Sequence, residues 1–190
     1  FFQILGADTH RARLFVSELR STISGFSYFV WTIDLTGKPP VPVATTSTSS
    51  PGFGYAAETD EAFINEWGGS STTIRVINAT TGAEVRRVTH PLASYGALTE
   101  PGGRVVWVND GNGMNTLDAR TGALLATSPD FQAGLATYDA ARGVLLVRQG
   151  DFLVVVDPLR LTEFGRARVA FSPLSYLLAE STQTLPGRWM

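Results

Sequence analysis

One turn, spelled four times at near-constant spacing, restricts this chain more than anything else in it. The copies are TIDLTGK at Thr32–Lys38, VINATTGAE at Val76–Glu84, TLDARTGAL at Thr116–Leu124 and a degenerate VVDPLRLTE at Val155–Glu163. Their polar anchors, Asp34, Asn78, Asp118 and Asp157, are 44, 40 and 39 residues apart. An Asp or Asn side chain at such a place bonds backbone N–H groups two residues on, and a following Gly takes positive φ. Gly37, Gly82 and Gly122 fill that second place, and the fourth copy has lost its Gly. Asp34, Gly37, Asn78, Gly82, Asp118, Gly122 and Asp157 therefore read as turn chemistry rather than as a metal site.

The flanking segments repeat with the turn. A strand precedes each copy: LFVSE at Leu14–Glu18, AFINE at Ala62–Glu66, VWVND at Val106–Asp110 and LLVRQ at Leu145–Gln149. Upstream of each lies a further strand and turn, so the unit is strand A, turn, strand B, loop, strand C, turn, strand D. One such sheet cannot cover both of its apolar faces, whereas sheets packed radially cover each other. Runs without polar alternation, such as Phe152-Leu153-Val154-Val155-Val156, fit strands buried on both faces. A period of about 40 residues with four strands each is the signature of a β-propeller blade. The expected fold is all-β: blades at about 1–46, 52–90, 92–130 and 133–171, and the start of a fifth over 172–190. The fifth unit breaks off early and the chain begins without Met, so a partial propeller completed by flanking sequence is expected. A long B–C loop over Glu18–Phe26, with a short helical turn within Ser17–Ser24, is the one irregularity expected.

With these residues in view, the repeats resemble the YVTN-type and quinoprotein-like, or WD-repeat-like, β-propellers. Glu100-Pro101-Gly102-Gly103-Arg104 followed by Trp107-Val108-Asn109-Asp110 is similar to the family's turn and aromatic-Val-x-Asn strand. Asp118-Ala119-Arg120-Thr121-Gly122 is similar to its Asp-x-x-Thr-Gly turn, with Phe63–Glu66 and Asn78–Gly82 as weaker copies. The resemblance implies a binding or scaffold module, or else a fragment of a lactonase-like hydrolase or a quinone-dependent oxidoreductase. It favours a periplasmic, cell-surface or secreted location, and it does not choose among the activities.

Composition removes several classes. A net charge of −2 with mixed signs gives no electrostatic case for nucleic acid, and no apolar run approaches the roughly 20 residues of a membrane span. Cysteine is absent, so thiol catalysis and thiolate metal sites are excluded. No Gly-x-Ser-x-Gly elbow is present, and the only histidines, His10 and His90, fall on opposite rims. Asp110-Gly111-Asn112-Gly113 is superficially like a Ca²⁺ loop but lacks the spaced ligands and terminal Glu. No cofactor is therefore expected, with pyrroloquinoline quinone or Ca²⁺ as the only alternatives. The recurring Tyr55, Tyr95 and Tyr176 of strand A read as packing between blades. Ligands of propellers usually meet the rim of B–C and D–A loops. On that rim the sequence places Glu66, Trp67, His90, Asp110, Asn112, Asp130, Gln149 and Asp151, with His90 read as an ordinary exposed loop residue. A protein or small-molecule partner would be engaged there.

Overall fold

The computed structural model describes residues 2–23, 25–46, 52–67, 71–91, 94–132 and 136–169. The expected fifth unit lies outside these. The described residues form four four-stranded antiparallel sheets, each of consecutive strands in simple meander order. Blade 1 is β1 (Phe2–Asp8), β2 (Arg13–Thr22), β3 (Gly25–Asp34) and β4 (Val41–Thr46). Blade 2 is β5 (Gly52–Ala56), β6 (Glu61–Trp67), β7 (Thr72–Asn78) and β8 (Glu84–His90). Blade 3 is β9 (Tyr95–Thr99), β10 (Val105–Asn109), β11 (Met114–Asp118) and β12 (Leu124–Ser128). Blade 4 is β13 (Ala136–Asp139), β14 (Val144–Gln149), β15 (Phe152–Val156) and β16 (Glu163–Arg168). No helix of the described residues is long and apolar enough to cross a membrane.

The inner strands alternate between two buried faces rather than between core and water, while the fourth strands β8, β12 and β16 are largely exposed. On β10, Val106 and Val108 join Phe63, Ile74 and Val76 of blade 2, whereas Val105 and Trp107 join Leu145, Val147 and Val154 of blade 4. On β6, Phe63 packs towards blade 3 while Ile64 packs with Val30 and Val43 of blade 1. The core is thus a series of seams between blades. Each fully buried Val, Ile or Phe contributes about 1.5–3 kcal/mol to such a seam. The first strands meet where the blades converge: a Cβ on Gly52 would run into the backbone of Gly96, so Gly is required there.

The turns behave as their chemistry dictates. The Asp118 carboxylate accepts from the Arg120 and Thr121 amides at 3.0 and 2.7 Å, and Asn78 accepts from Thr80 and Thr81 at 3.1 and 2.9 Å. Gly82 and Gly122 take φ of 74° and 75°, each donating its N–H back to the anchor carbonyl at 2.9 Å. The fourth copy keeps this geometry without the Gly. Leu161 adopts φ 53° and makes the same 2.9 Å bond to Asp157. A left-handed non-Gly residue costs about 1–2 kcal/mol; here burial of the Leu161 side chain, 4% exposed beside Phe131, offsets it.

The long B–C loop expected in blade 1 does not exist. β2 and β3 each run ten residues and stay paired out to Thr22↔Gly25. Cross-strand pairing satisfies every ladder position from Arg13 to Thr22, which a loop with one helical turn would leave open.

Candidate functional site

Two rims result from this topology. The A–B and C–D turns share one, tied together by Leu35 N–H to Ala12, Ala79 N–H to Asp60 and Ala119 N–H to Arg104, all at 2.8–2.9 Å. The B–C and D–A connections form the other, where the sequence placed its candidates.

On that second rim the candidates do not converge. Glu66 lies within β6 and accepts from Arg75 Nη1 at 2.9 Å across the hairpin. Trp67 ends β6, and its side chain lies outside the described residues. Asp110 and Asn112 form a tight turn in which the Asn112 amide donates to the Asp110 carboxylate at 2.9 Å. The Gln149 amide donates to the Asp130 carbonyl at 3.1 Å, so these two are brought together. Asp151 stands exposed, 3.7 Å from Arg168. A half-open depression of about 420 Å³ runs along the seam of blades 3 and 4, lined by Ser128, Asp130, Phe131, Gln149, Glu163 and Arg166. Among the described residues no three His, Asp, Glu or Cys side chains stand close enough to hold a metal ion.

His90 is a correction. It is the last residue of β8, paired with Thr72, and only 2% of it is exposed. Its alternation puts it on the face that Val88 turns towards blade 3. Among the described residues both buried ring nitrogens have no hydrogen-bond partner, nor has Oδ1 of Asn65. Close by in the same seam, Thr72 and Ser94 bond each other and the Asn65 amide donates to the Gly96 carbonyl at 2.6 Å. The neighbouring blade covers a residue whose local sequence, Thr-His-Pro, reads as a loop.

Among the described residues the densest polar cluster sits on the opposite rim, in the seam of blades 1 and 2. The Arg13 guanidinium, 5% exposed, donates to Asp8 at 3.0 Å, to Tyr55 at 2.7 Å, to Thr80 at 2.9 Å and to Asp60. The Tyr55 hydroxyl lies 2.7 Å from Asp8 and 2.9 Å from Asp60, and Arg11 adds a 3.1 Å bond to Asp8. Burial pushes the Asp8 carboxyl up, but hydrogen bonds from Tyr55, Arg13 and Arg11 outweigh it and hold it at about 2. Asp60 is also held below the usual range: burial works against this, and bonds from Arg13, Thr80 and Tyr55 prevail. Burial and the two carboxylates push the Tyr55 hydroxyl well above its ordinary value. Two carboxylates, two guanidiniums and a phenol that keeps its proton have nothing to exchange near neutral pH. The cluster is a clamp between blades.

Sequence reasoning missed this clamp. The signal available was Arg13 itself: it occupies the first position of strand B, where blades 3 and 4 carry Val105 and Val144 and blade 2 carries Glu61. Tyr55 does pack between blades, its ring 4.6 Å from Phe15, and its hydroxyl adds the polar half.

No protein-family model matches the chain, and no curated protein does. Solved structures do. The Dos1 propeller aligns with a TM-score of 0.59 at 10% identity, over 90% of this chain and 47% of that one. A chain of the mitotic checkpoint complex aligns at 0.54 and 10%, over 84% of this chain and 59% of that one. A protein of unknown function from Bacteroides caccae aligns at 0.55 and 14%, over 88% and 61%. The fold is a β-propeller. The described residues supply four blades, and the chain spans about half the length of the Dos1 propeller and about three fifths of the other two chains.

Proposed function

We propose that this β-propeller is a non-catalytic binding module that engages a protein or small-molecule partner through its B–C and D–A rim. The observation that carries the reading is a run of exposed polar side chains on consecutive loops of this rim. Asn112, Asp130 and Asp151 are exposed at three successive loops, while the cluster on the opposite rim is consumed by bonds between blades. Rigid seams beneath exposed loops are what a recognition surface needs. Asp110, Asn112, Asp130, Gln149 and Asp151 are the contact residues in this reading. Glu66 orients the B–C hairpin through Arg75, and buried His90 supports the rim from below. The YVTN or quinoprotein-like type and an extracytoplasmic location remain part of the proposal, on the strength of the motif resemblance alone.

The test is site-specific photo-crosslinking in source cells from Asn112, Asp130 and Asp151, compared with Thr36, Thr81 and Thr121 on the other rim. A discrete adduct from the first set only is expected. Adducts from the second set alone would move the binding face. A saturable isotherm for pyrroloquinoline quinone or Ca²⁺, or turnover of a lactone, would replace the reading with an enzymatic one.

A further inference from the structure

Asn112 stands at the tip of the turn between β10 and β11, flanked by two glycines that the fold imposes. Gly111 takes φ 88°. A Cβ on Gly113 would collide with the Ser128 carbonyl and sit 2.6 Å from Pro129 Cα, both backbone atoms of the chain leaving β12. Position 113 therefore admits no side chain. Asn112 itself is exposed. Its own N–H donates to the Asp110 carboxylate at 2.9 Å, and the Asp110 N–H closes the turn on the Gly113 carbonyl at 3.2 Å. Among the described residues neither the Asn112 carboxamide nor the Gly113 N–H has a hydrogen-bond partner. A side-chain carbonyl carbon thus lies one residue ahead of an unhindered, unengaged backbone nitrogen.

The other asparagines lack this arrangement. Asn65, Asn109 and Asn115 are buried and precede Glu66, Asp110 and Thr116, whose side chains crowd the backbone nitrogen. Asn78 precedes the buried Ala79, and its side-chain oxygen is held by the Thr80 and Thr81 amides. Asp110 also precedes a glycine, but a carboxylate repels a nucleophile and offers a worse leaving group than an amide.

We infer that Asn112 is a site of spontaneous covalent modification, an intramolecular deamidation that replaces an amide by a carboxylate at the tip of this B–C loop. The Gly113 nitrogen loses its proton to hydroxide and attacks Asn112 Cγ. The new C–N bond closes a five-membered succinimide as the bond from Cγ to the side-chain nitrogen breaks, and that nitrogen takes up a proton and departs as ammonia. Water then adds to one ring carbonyl. Opening at Cγ leaves an aspartate in a normal backbone; opening at the main-chain carbonyl leaves an isoaspartyl link, longer by one carbon. Water is the only co-reactant, and nothing is oxidised or reduced. Each conversion adds one negative charge to a loop that already carries Asp110, on the rim that also presents Asp130 and Asp151. The chemistry is independent of whether a partner binds there.

The experiment incubates the folded full chain at mildly alkaline pH, digests it with pepsin in acid, where cyclisation is slow, and maps the peptides by mass. Isoaspartyl groups are counted in parallel with an isoaspartate methyltransferase and a labelled methyl donor. The amide-to-acid mass gain is expected at Asn112 at least tenfold faster than at any other asparagine, with a rate that rises in proportion to hydroxide. Asn112→Gln would have to close a slower six-membered ring. It should abolish both signals from that peptide while leaving the thermal transition within a few degrees of the parent. Absence of conversion at Asn112 in the folded chain overturns the inference. So does conversion that appears only in urea, since the folded turn would then protect the site, and so does equal conversion at the buried asparagines.

Discussion

Replacing Arg13 with methionine tests the clamp between blades 1 and 2 most directly. Methionine keeps much of the aliphatic length and removes the bonds to Asp8, Asp60, Tyr55 and Thr80 at once. Asp60 then keeps only Tyr55 and Thr80, and Asp8 keeps Tyr55 and the half-exposed Arg11, in a site where the Asp8 side chain is 0% exposed. Breaking a buried pair from one side costs about 3–5 kcal/mol, because a charge is left without its partner. With a urea slope of about 2 kcal/mol per molar, the midpoint should fall by about 2 M with the slope unchanged. The loss should depend on pH. Asp8 in the folded parent sits at about 2, below its ordinary 3.8. Its contribution, of order 2 kcal/mol, is therefore fully present above about pH 4 and is lost as pH falls towards 2. In the variant Asp8 and Asp60 lack the Arg13 guanidinium and take up a proton at higher pH. The gap between the two proteins should thus be widest at pH 7 and narrow below about pH 4. A loss under about 1 kcal/mol at pH 7, or a gap that stays flat down to pH 3, would refute the clamp.

Other substitutions separate the remaining claims. His90→Leu should raise stability by about 1–2 kcal/mol, since it removes two buried ring nitrogens that have no partner among the described residues; a fall in melting temperature would mean the ring has a partner at the rim. Gly122→Val should cost more than about 2 kcal/mol, because its Cβ would meet Val88 Cγ1 and its φ is 75°; an unchanged calorimetric transition would count against the seam. Leu161→Gly sets relief of a left-handed backbone, about 1–2 kcal/mol, against loss of a buried Leu side chain, about 2–5 kcal/mol, so a net loss in urea titration is expected. Thr116→Val should cost about 1 kcal/mol through its bond to Pro158, and a neutral result would leave Trp107 as the sole donor of that seam.

The turn of Asp118–Gly122 was fully legible, because every bond that makes it lies within five residues. The same holds for the alternation on β10, where local order alone sets which side chains share a face. Leu161 was only half legible. Without a Gly the fourth copy looks degenerate, and the packing of its side chain beside Phe131 is what holds the left-handed backbone. The hairpin of blade 1 was misread because Glu18–Phe26 is polar enough to pass for a loop, while its pairing depends on ten positions of register.

The sequence by itself determined the repeating unit, its turns and the all-β propeller architecture, since these rest on hydrogen bonds and face alternation inside a unit of about 40 residues. Tertiary structure alone decided what each seam contains. Arg13 meets Tyr55 and Asp60 across 42 and 47 residues of chain, and His90 passes from expected loop to buried core when blade 3 covers it. Burial and ion pairing arise between units, where sequence spacing carries no record of which side chains meet.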